Sequence, residues 1–388
     1  MKRIPTTGLC GFVAILMMAG CQAGQTQTQA SNVPKFEYDP TWPKPVPNNW
    51  RLGTVVGVRV DSKDHIWIVH RPSTLRPEER QAADAPPTIC CRPAPPVIEF
   101  DQDGKVVQAW GGPGEGYEWP TPGANGGWSG EHGIFVDLTD HVWLGGNGPG
   151  TAHILKFTRA GKFVLQIGKR GMNKGGSNDT SNMSSPTSLE VDTKTNEVFV
   201  ADGYGNRRVI VFDSNTGAYK RHWGAYGKRP DDSVPRTVDP KTASEQFNTV
   251  HGIALSKDGM VYVADRNNNR IQAFKQDGTF VREGFVARET PPGAIASNGT
   301  VHDVAFSADP QQQFLYVADG PNQKVWIVRR SDLSVVGNFG HGGHEGGALG
   351  HITAISTDSK GNIYVAETME GKRVQRFRNA GTLPAAND

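Results

Sequence analysis

Short stretches of alternating apolar and polar residues recur along the chain, and residues 249–283 contain one complete set of them. Such alternation is the period of half-buried β-strands. Turns rich in Gly and Asn separate the stretches, because these residues tolerate positive φ angles. The apolar stretches are 252–255, 260–264, 271–274 and 279–281, and the turns are 257–259, 267–269 and 276–278. The pattern predicts four short antiparallel strands that must stack on copies of themselves to bury their faces.

The same unit is repeated along the chain. Six units begin near residues 56, 132, 187, 249, 302 and 353. Four of them close on an aromatic residue or Ile followed by Gly, at positions 110–111, 167–168, 223–224 and 339–340. Six stacked four-stranded units predict an all-β fold, a six-bladed β-propeller.

The sixth unit, residues 353–377, has only three strand-like stretches, which would leave a sheet edge open. Phe36, Glu37 and Tyr38 form a spare strand-like piece at the other end of the chain. We predict that this piece completes the last blade and closes the ring, so that residues 36–388 form one propeller domain.

The N-terminal sequence predicts an export signal. Lys2 and Arg3 precede an apolar run over residues 9–19, which is too short to span a membrane. The sequence Met-Ala-Gly-Cys at 18–21 resembles the lipobox of bacterial lipoproteins, with Met in place of the usual Leu. It predicts a signal peptide over 1–20, lipidation of Cys21 and a polar tether over 21–35. The protein would then lie in the bacterial cell envelope, on the periplasmic or extracellular side, held to the membrane by lipid only. The alternative is an ordinary secretory signal in which Cys21 is incidental.

The composition of the chain limits the classes of binding partner that we expect. A formal charge of +2 over 388 residues gives no indication of nucleic-acid binding, and we expect a monomer. Of the four cysteines, only the adjacent pair Cys90 and Cys91 lies outside the predicted signal and anchor, in a Pro-rich insertion over 71–96. Outside the cytoplasm this pair either forms a vicinal disulfide or stays as two thiols.

The candidate chemistry comes from histidines at one repeat position. An ungapped alignment of the units places His132 and His251 at the entrance of the innermost strand, and His302 joins them if a three-residue loop insertion is allowed. In the sixth unit Thr353 takes this position, with His351 two residues earlier. Inner strands line the channel, so these imidazoles are predicted to converge on its axis, where they suit zinc or a similar divalent ion. The third ligand is either His302 or His351.

Several motifs resemble peptidyl-α-hydroxyglycine α-amidating lyase, the lyase half of the peptide C-terminal amidating enzyme and a six-bladed propeller of NHL repeats. They are His-Gly-Ile at 132–134, Asp-Gly-Tyr-Gly-Asn at 202–206, Val-His at 250–251, Val-Ala-Asp-Arg at 263–266 and Val-His-Asp-Val at 301–304. The resemblance covers about residues 50–378. It implies a central zinc, a nearby calcium, and a peptide or small-molecule substrate in the channel that is cleaved to an amide and glyoxylate.

The resemblance also implies roles for single residues. Arg71 matches a substrate-contacting arginine, Tyr204 the proposed catalytic tyrosine, and Asp303 the acidic member of a His-Asp pair. Blade six departs from the family pattern, because the family draws its third ligand from there and this chain has Thr353 in register.

Two other functions remain open. A propeller lactonase would need carboxylates at the strand entrances, where this chain has few. A non-catalytic NHL module would present its loop rim to a protein or a glycan at the cell envelope. Bound metal in the purified protein distinguishes the lyase from the binding module.

Overall fold

The computed structural model describes residue 1 and residues 32–123, 129–291 and 299–383. The predicted signal peptide, Cys21 and most of the predicted tether lie outside these ranges. No helix among the described residues is long and apolar enough to cross a membrane.

The regular secondary structure of the described chain is almost entirely β-strand. It begins with β1 (Val33–Tyr38) and the two-residue β2 (Trp50–Arg51). Blade one runs from β3 (Thr54–Val60) through β4 (Ile66–Arg71) and the two-residue β5 (Arg92–Pro93), which pairs with β2, to β6 (Val97–Phe100) and β7 (Val106–Trp110). Blade two is β8 (Glu131–Val136), β9 (His141–Gly146), β10 (His153–Thr158) and β11 (Phe163–Gly168). Blade three is β12 (Ser188–Asp192), β13 (Glu197–Asp202), β14 (Arg208–Asp213) and β15 (Tyr219–Trp223).

The remaining blades follow the same plan. Blade four is β16 (Val250–Leu255), β17 (Met260–Asp265), β18 (Arg270–Lys275) and β19 (Phe280–Phe285). Blade five is β20 (Asp303–Phe306), β21 (Phe314–Asp319), β22 (Lys324–Arg329) and β23 (Val335–Phe339). Blade six contains β24 (His351–Thr357), β25 (Ile363–Thr368) and β26 (Arg373–Leu383). The described helices are one short α-helix, α1 (Gln81–Asp84), and 3-10 turns at Pro72–Thr74, Pro77–Glu79, Gly176–Asn178, Ala225–Gly227 and Arg266–Asn268.

The first strand of each blade is the innermost. The strands β3, β8, β12, β16, β20 and β24 each contact the first strand of the next blade, and β24 returns to β3. Each of the six sheets has four antiparallel strands. The predicted all-β, six-bladed propeller is confirmed.

Aromatic residues at the ends of outer strands pack against the adjacent blade. A Cβ on Gly161 would lie 2.7 Å from the ring of Trp110, and one on Gly278 would lie 3.0 Å from the ring of Trp223. Both glycines have positive φ angles, of 81° and 92°. The turn of one blade therefore packs flat against the closing tryptophan of the blade before it, which explains the aromatic-Gly endings in the sequence.

The ring closes as predicted. Strand β1 pairs with β26 as the fourth strand of blade six, with Tyr38 opposite Phe377. The ring of Phe36 lies 5.2 Å from that of Tyr316 and 4.8 Å from that of Phe339. The strand begins at Val33, three residues before the domain boundary predicted at residue 36. The side chain of Val33 is buried in the apolar core between blades five and six, which extends the pairing to Leu383.

The insertion of blade one contains the cysteine pair. Cys90 and Cys91 form a vicinal disulfide, so the structure selects the first of the two alternatives that the sequence left open. The cysteines precede β5, and the insertion is held to the body of the propeller by the pairing of β5 with β2 and by an ion pair between Lys372 and Glu79.

Candidate functional site

The repeat position of the histidines is a bulge at the start of the inner strands. In β16 the pairing with β17 skips from Val250 to Gly252, which leaves His251 as the extra residue. A bulge re-aims the side chain of its extra residue, here toward the channel. Thr353 is the corresponding extra residue of β24 and Val56 that of β3, as the repeat alignment predicts.

His132 and His251 are held in the same way by the neighbouring blade. Nδ1 of His132 lies 2.7 Å from the carbonyl oxygen of Thr187, and Nδ1 of His251 lies 2.8 Å from that of His302. A carbonyl oxygen only accepts hydrogen bonds, so each Nδ1 carries the proton and donates it. Each Nε2 is left with a free lone pair, which is the tautomer that a metal-binding histidine needs.

The two free nitrogens point at one hydroxyl group. The oxygen of Tyr204 lies 3.2 Å from Nε2 of His251 and 3.5 Å from Nε2 of His132. Nη1 of Arg266 donates to the same oxygen at 3.2 Å, and the guanidinium group lies over the Tyr204 ring, 5.2 Å from its centroid. One phenol group is therefore shared by two imidazoles and a buried cation.

The two candidates for the third ligand also lie in this cluster. Nε2 of His302 is 3.2 Å from Nε2 of His351, and the ring of His302 is 5.2 Å from that of His251. The backbone N–H of Gly320 points at Nδ1 of His302 from 3.5 Å. This contact favours a proton on Nε2 of His302, opposite to the arrangement in His132 and His251. His351 would then accept that proton's hydrogen bond through its own Nε2.

All four histidines are kept neutral. Burial lowers the pKa of His132 to about 3 and that of His351 to about 4. Burial also holds the pKa values of His251 and His302 well below the usual range. The positive charge of Arg266 depresses all four pKa values further. A neutral imidazole is the form that binds metal ions.

Arg71 lies at the end of β4 beside this cluster. Its Nε donates to the carbonyl oxygen of Glu131 at 2.8 Å, and its Nη2 donates to Oδ1 of Asn147 at 2.7 Å. The guanidinium group is buried, and burial lowers its pKa, while the nearby Tyr204 and Glu131 raise it. The structure thus brings Arg71 into the electrostatic neighbourhood of Tyr204.

Asp303 lies in the wall of the channel. Its carboxylate accepts a hydrogen bond from the backbone N–H of Ile355 at 3.1 Å. It lines a small cavity of the channel together with Arg59, His132 and His251. Burial raises the pKa of Asp303 to about 7, and the charge of Arg59 opposes that rise.

The donor set of the cluster fits a zinc-like ion, although its present spacing is loose. His132 and His251 each offer an oriented Nε2, and His302 and His351 lie close by. Among the described residues, the group of three or more candidate ligands whose atoms all lie within 4.8 Å of one another is Asp61, His65 and Glu99. Arg159 already forms ion pairs with both carboxylates of that group, so it is a structural network between blades.

One central residue of the cluster, Arg266, was not predicted from the sequence as part of the site. It follows Asp265 in the turn after β17, and its repeat equivalent in blade three is Gly203. Its string Val-Ala-Asp-Arg was noted for its resemblance to the lyases, but an arginine in a surface turn gives no signal of inward orientation. Only the burial of its side chain in the structure reveals the role.

Comparisons with known proteins agree with the repeat architecture. The family model of the NHL repeat matches residues 247–274. NHL repeat-containing protein 3 of Homo sapiens is 30% identical over 305 residues, which make up 73% of this chain and 72% of that protein. A solved streptogramin B lyase, 12% identical, covers 89% of this chain and 98% of its own with a TM-score of 0.51, which shows a shared fold alone.

Amidating enzymes are also among the relatives. Peptidyl-glycine alpha-amidating monooxygenase A of Xenopus laevis is 29% identical over 216 residues, which are 53% of this chain and 21% of that protein. Peptidyl-alpha-hydroxyglycine alpha-amidating lyase 2 of Drosophila melanogaster is 29% identical over 243 residues, which are 61% of this chain and 51% of the lyase. The chain thus spans about a fifth to a half of the length of these relatives, and its resemblance to the amidating lyases is confirmed.

Proposed function

Since the chain belongs to the NHL-repeat family of β-propellers and resembles its amidating lyases, we propose that it is a metal-dependent lyase. Its reaction would cleave a carbinolamide, such as a peptidyl-α-hydroxyglycine or another small carbinol-like substrate, to an amide and glyoxylate. The observation that carries the proposal is the shared position of the Tyr204 hydroxyl between Nε2 of His132 and Nε2 of His251.

Cleavage of a carbinolamide moves one proton and one electron pair. The hydroxyl group loses its proton, its C–O bond becomes the C=O bond of glyoxylate, and the C–N bond breaks. The electron pair of that bond goes to nitrogen, which takes up a proton to complete the amide. A base beside the hydroxyl and a positive environment for the developing charge are what a protein can supply.

Tyr204 is the base in this proposal. Nη1 of Arg266 donates to the phenol oxygen at 3.2 Å, so a positive charge lies beside the oxygen that would take the proton. Zinc, when bound, would polarise the hydroxyl or carboxylate oxygen of the substrate. His132 and His251 would hold it, with His302 or His351 as the third ligand.

Two buried arginines give the site a positive field. Nη1 of Arg266 lies 3.2 Å from the Tyr204 oxygen, and the charges of Arg71 and Arg266 both depress the pKa of His132. A carboxylate on the substrate would be drawn to such a field, and a bidentate guanidinium group suits it. Arg71 is already bonded to Asn147 and Glu131, so it would act as a fixed charge that orients the substrate.

Calcium is the weaker of the two implied cofactors. It takes about six to eight oxygen ligands, including carboxylates and backbone carbonyls. Asp303 would offer one carboxylate from the wall of the channel, but the positive charge of Arg59 lies in the same cavity. We therefore assign calcium no part in the reaction.

The proposed cellular setting follows the N-terminal motif. Lipidation of Cys21 would tether a monomeric propeller to a membrane of the cell envelope, where a peptide or small-molecule substrate would enter the channel.

The test of the proposal is glyoxylate release from a synthetic peptidyl-α-hydroxyglycine. The purified chain without residues 1–31 is assayed as isolated, after chelation, and after zinc is restored. Turnover that disappears with chelation and returns with zinc supports the lyase. Equal glyoxylate release in all three samples and in a protein-free blank contradicts it.

One observation favours a second function, a non-catalytic propeller that binds a protein or glycan. Among the described residues, no three of the four channel histidines bring ligand atoms within 4.8 Å of one another. If this spacing persists when zinc is offered, the histidines form a hydrogen-bonded channel lining, and the loop rim becomes the functional surface.

A further inference from the structure

The turn that carries Tyr204 is one residue longer than its counterparts in blades four, five and six. Five residues, 203–207, connect β13 to β14, whereas four connect the corresponding strands in blade four (266–269), blade five (320–323) and blade six (369–372). The residues that flank this turn form buried ion pairs at equivalent positions in blades three and four. The pairs are Asp202 with Arg208 and Asp265 with Arg270. The extra residue lets the turn reach over the channel, where Tyr204 meets the histidines.

The backbone on either side of Tyr204 has little side-chain support of its own. Gly203 lies against the backbone of Val250, and Gly205 lies against the side chain of Ser184, so closely that a Cβ would clash at both positions. Glycine leaves the backbone more conformational freedom than other residues do. A tyrosine between two glycines therefore depends on contacts from outside the turn for a fixed position.

Arg236 supplies such contacts. It lies in the long loop between β15 and β16, far from the turn in sequence. Its Nη1 donates to the carbonyl oxygen of Gly203 at 3.3 Å, and its Nη2 donates to those of Gly205 at 3.0 Å and Asn206 at 2.8 Å. One guanidinium group thus caps the carbonyls immediately before and after Tyr204.

The loop and the turn are also joined in the opposite direction. Arg207, the last residue of the turn, donates to the carbonyl oxygen of Val234 and forms an ion pair with Asp232 at 3.8 Å. Asp232 in turn accepts hydrogen bonds from the backbone N–H and the hydroxyl group of Ser177. The loop is therefore fixed at Asp232 and Val234, immediately before Arg236.

We propose that Arg236 is a positioning residue that holds the Tyr204 turn over the channel. It acts through the backbone of the turn, because its hydrogen bonds to other described residues go to the carbonyl oxygens of residues 203, 205 and 206. Arg236 is exposed to solvent, so it is not part of the apolar core. The catalytic consequence rests on the proposed lyase function, whereas the effect on the turn does not.

A lysine at position 236 cannot make the same hydrogen bonds. The planar guanidinium group presents several donors in a fixed geometry, whereas the lysine ammonium group is a compact point charge on a flexible stem. Arg236→Lys would therefore keep the charge but lose the simultaneous contact with three carbonyls.

The experiment compares Arg236→Ala and Arg236→Lys with Arg229→Ala as the matched control. Arg229 lies in the same loop and donates to the side chain of Asn178 rather than to the Tyr204 turn. Amide hydrogen exchange is measured on peptides that cover residues 203–207, where the N–H of Gly205 bonds to the carbonyl oxygen of Ser184 at 2.9 Å. The second readout is kcat and KM for glyoxylate release, with and without added guanidinium ion at low millimolar concentration.

We expect exchange in 203–207 to rise about tenfold or more in Arg236→Ala, less in Arg236→Lys and not at all in Arg229→Ala. The kcat should fall about 10- to 100-fold with a smaller change in KM, and guanidinium should restore part of it. Unchanged exchange in both Arg236 variants overturns the proposal. Increased exchange with unchanged kcat overturns the catalytic consequence. A wild-type protein without turnover refutes the lyase function, while the exchange data still decide the role of Arg236.

Discussion

The hydroxyl oxygen of Tyr204 lies 3.2 Å from Nε2 of His251. Tyr204 lies in a turn of blade three, and His251 lies at the start of the inner strand of blade four. His251 donates its other ring nitrogen to a backbone carbonyl, so the nitrogen that faces Tyr204 has a free lone pair. The contact thus joins the phenol oxygen of Tyr204 to a nitrogen able to bind a metal ion. It is the element of the site on which the proposed chemistry depends.

Replacing Tyr204 with Phe separates these two roles. The variant keeps the aromatic ring that Arg266 covers but loses the hydroxyl group. We expect metal content equal to that of the wild type and a loss of glyoxylate release of about 100-fold or more, as for removal of a general base. Turnover within twofold of the wild type would show that another group takes the proton.

Strand β1 should be needed for stability. Deleting residues 36–38 removes the ring of Phe36 from its contacts with Tyr316 and Phe339 and exposes the edge of β26. We expect the melting temperature to fall by about 5 °C or more in scanning calorimetry. Glu37→Ala, at an exposed position of the same strand, should change it little. A deletion variant that melts like the wild type would mean that the ring closes without β1.

His70 should make the fold sensitive to acid. Its Nδ1 accepts a hydrogen bond from the N–H of Gly53 at 3.1 Å, and its Nε2 donates to the carbonyl oxygen of Pro95 at 3.0 Å. Burial lowers its pKa to about 4. The unfolded chain binds the proton near the ordinary histidine pKa of about 6.5. The stability from the neutral form is therefore complete above about pH 6.5 and is lost as the pH falls toward 4.

The free energy of unfolding, measured in denaturant at pH 7, 6 and 5, tests this dependence. We expect His70→Gln to reduce its slope by about 1.4 kcal/mol per pH unit between pH 6 and 5, because the other buried histidines contribute equally in both proteins. His344→Gln, at an exposed position, should leave the slope unchanged. Parallel curves for the wild type and His70→Gln would exclude His70 as a source of the acid sensitivity.

The proposed anchor depends on Cys21. Cys21→Ala should move the protein from the membrane fraction to the soluble fraction, because a single lipid-bearing residue would provide the attachment. Cys10→Ala, inside the predicted signal peptide, is the matched control and should stay with the membrane. A Cys21→Ala protein that still sediments with membranes would refute the lipidation of this residue.

The sequence predicted the fold well because each blade repeats one local pattern. Alternating apolar residues and Gly-containing turns specify each strand pair locally, and six copies leave few arrangements other than a ring. The position of His251 and Thr353 at a bulge followed from the same register. Closure by Phe36 to Tyr38 was predictable because the sixth unit lacked a strand, whereas the inclusion of Val33 depended on packing against blade five.

The repeat itself predicted the positions of three histidines, whereas Arg71 and Tyr204 were predicted through the resemblance to the amidating lyases. His132, His251 and His302 share a repeat position, so symmetry brings them to one axis. Arg266 and Arg236 lie in turns and loops whose course is set by tertiary contacts, and neither showed an inward orientation in the sequence.

Metal analysis of the purified chain tests the central claim most directly. Zinc is quantified per chain by plasma mass spectrometry after gentle purification without chelators, in the wild type, His132→Ala, His251→Ala and the control His344→Gln. The account predicts about one zinc-like ion per chain in the wild type and the control, and loss of that ion in His132→Ala and His251→Ala, because losing one of three ligands weakens affinity by orders of magnitude. A wild-type chain that carries no stoichiometric metal and cannot be loaded with zinc would contradict the account and leave the binding propeller in its place.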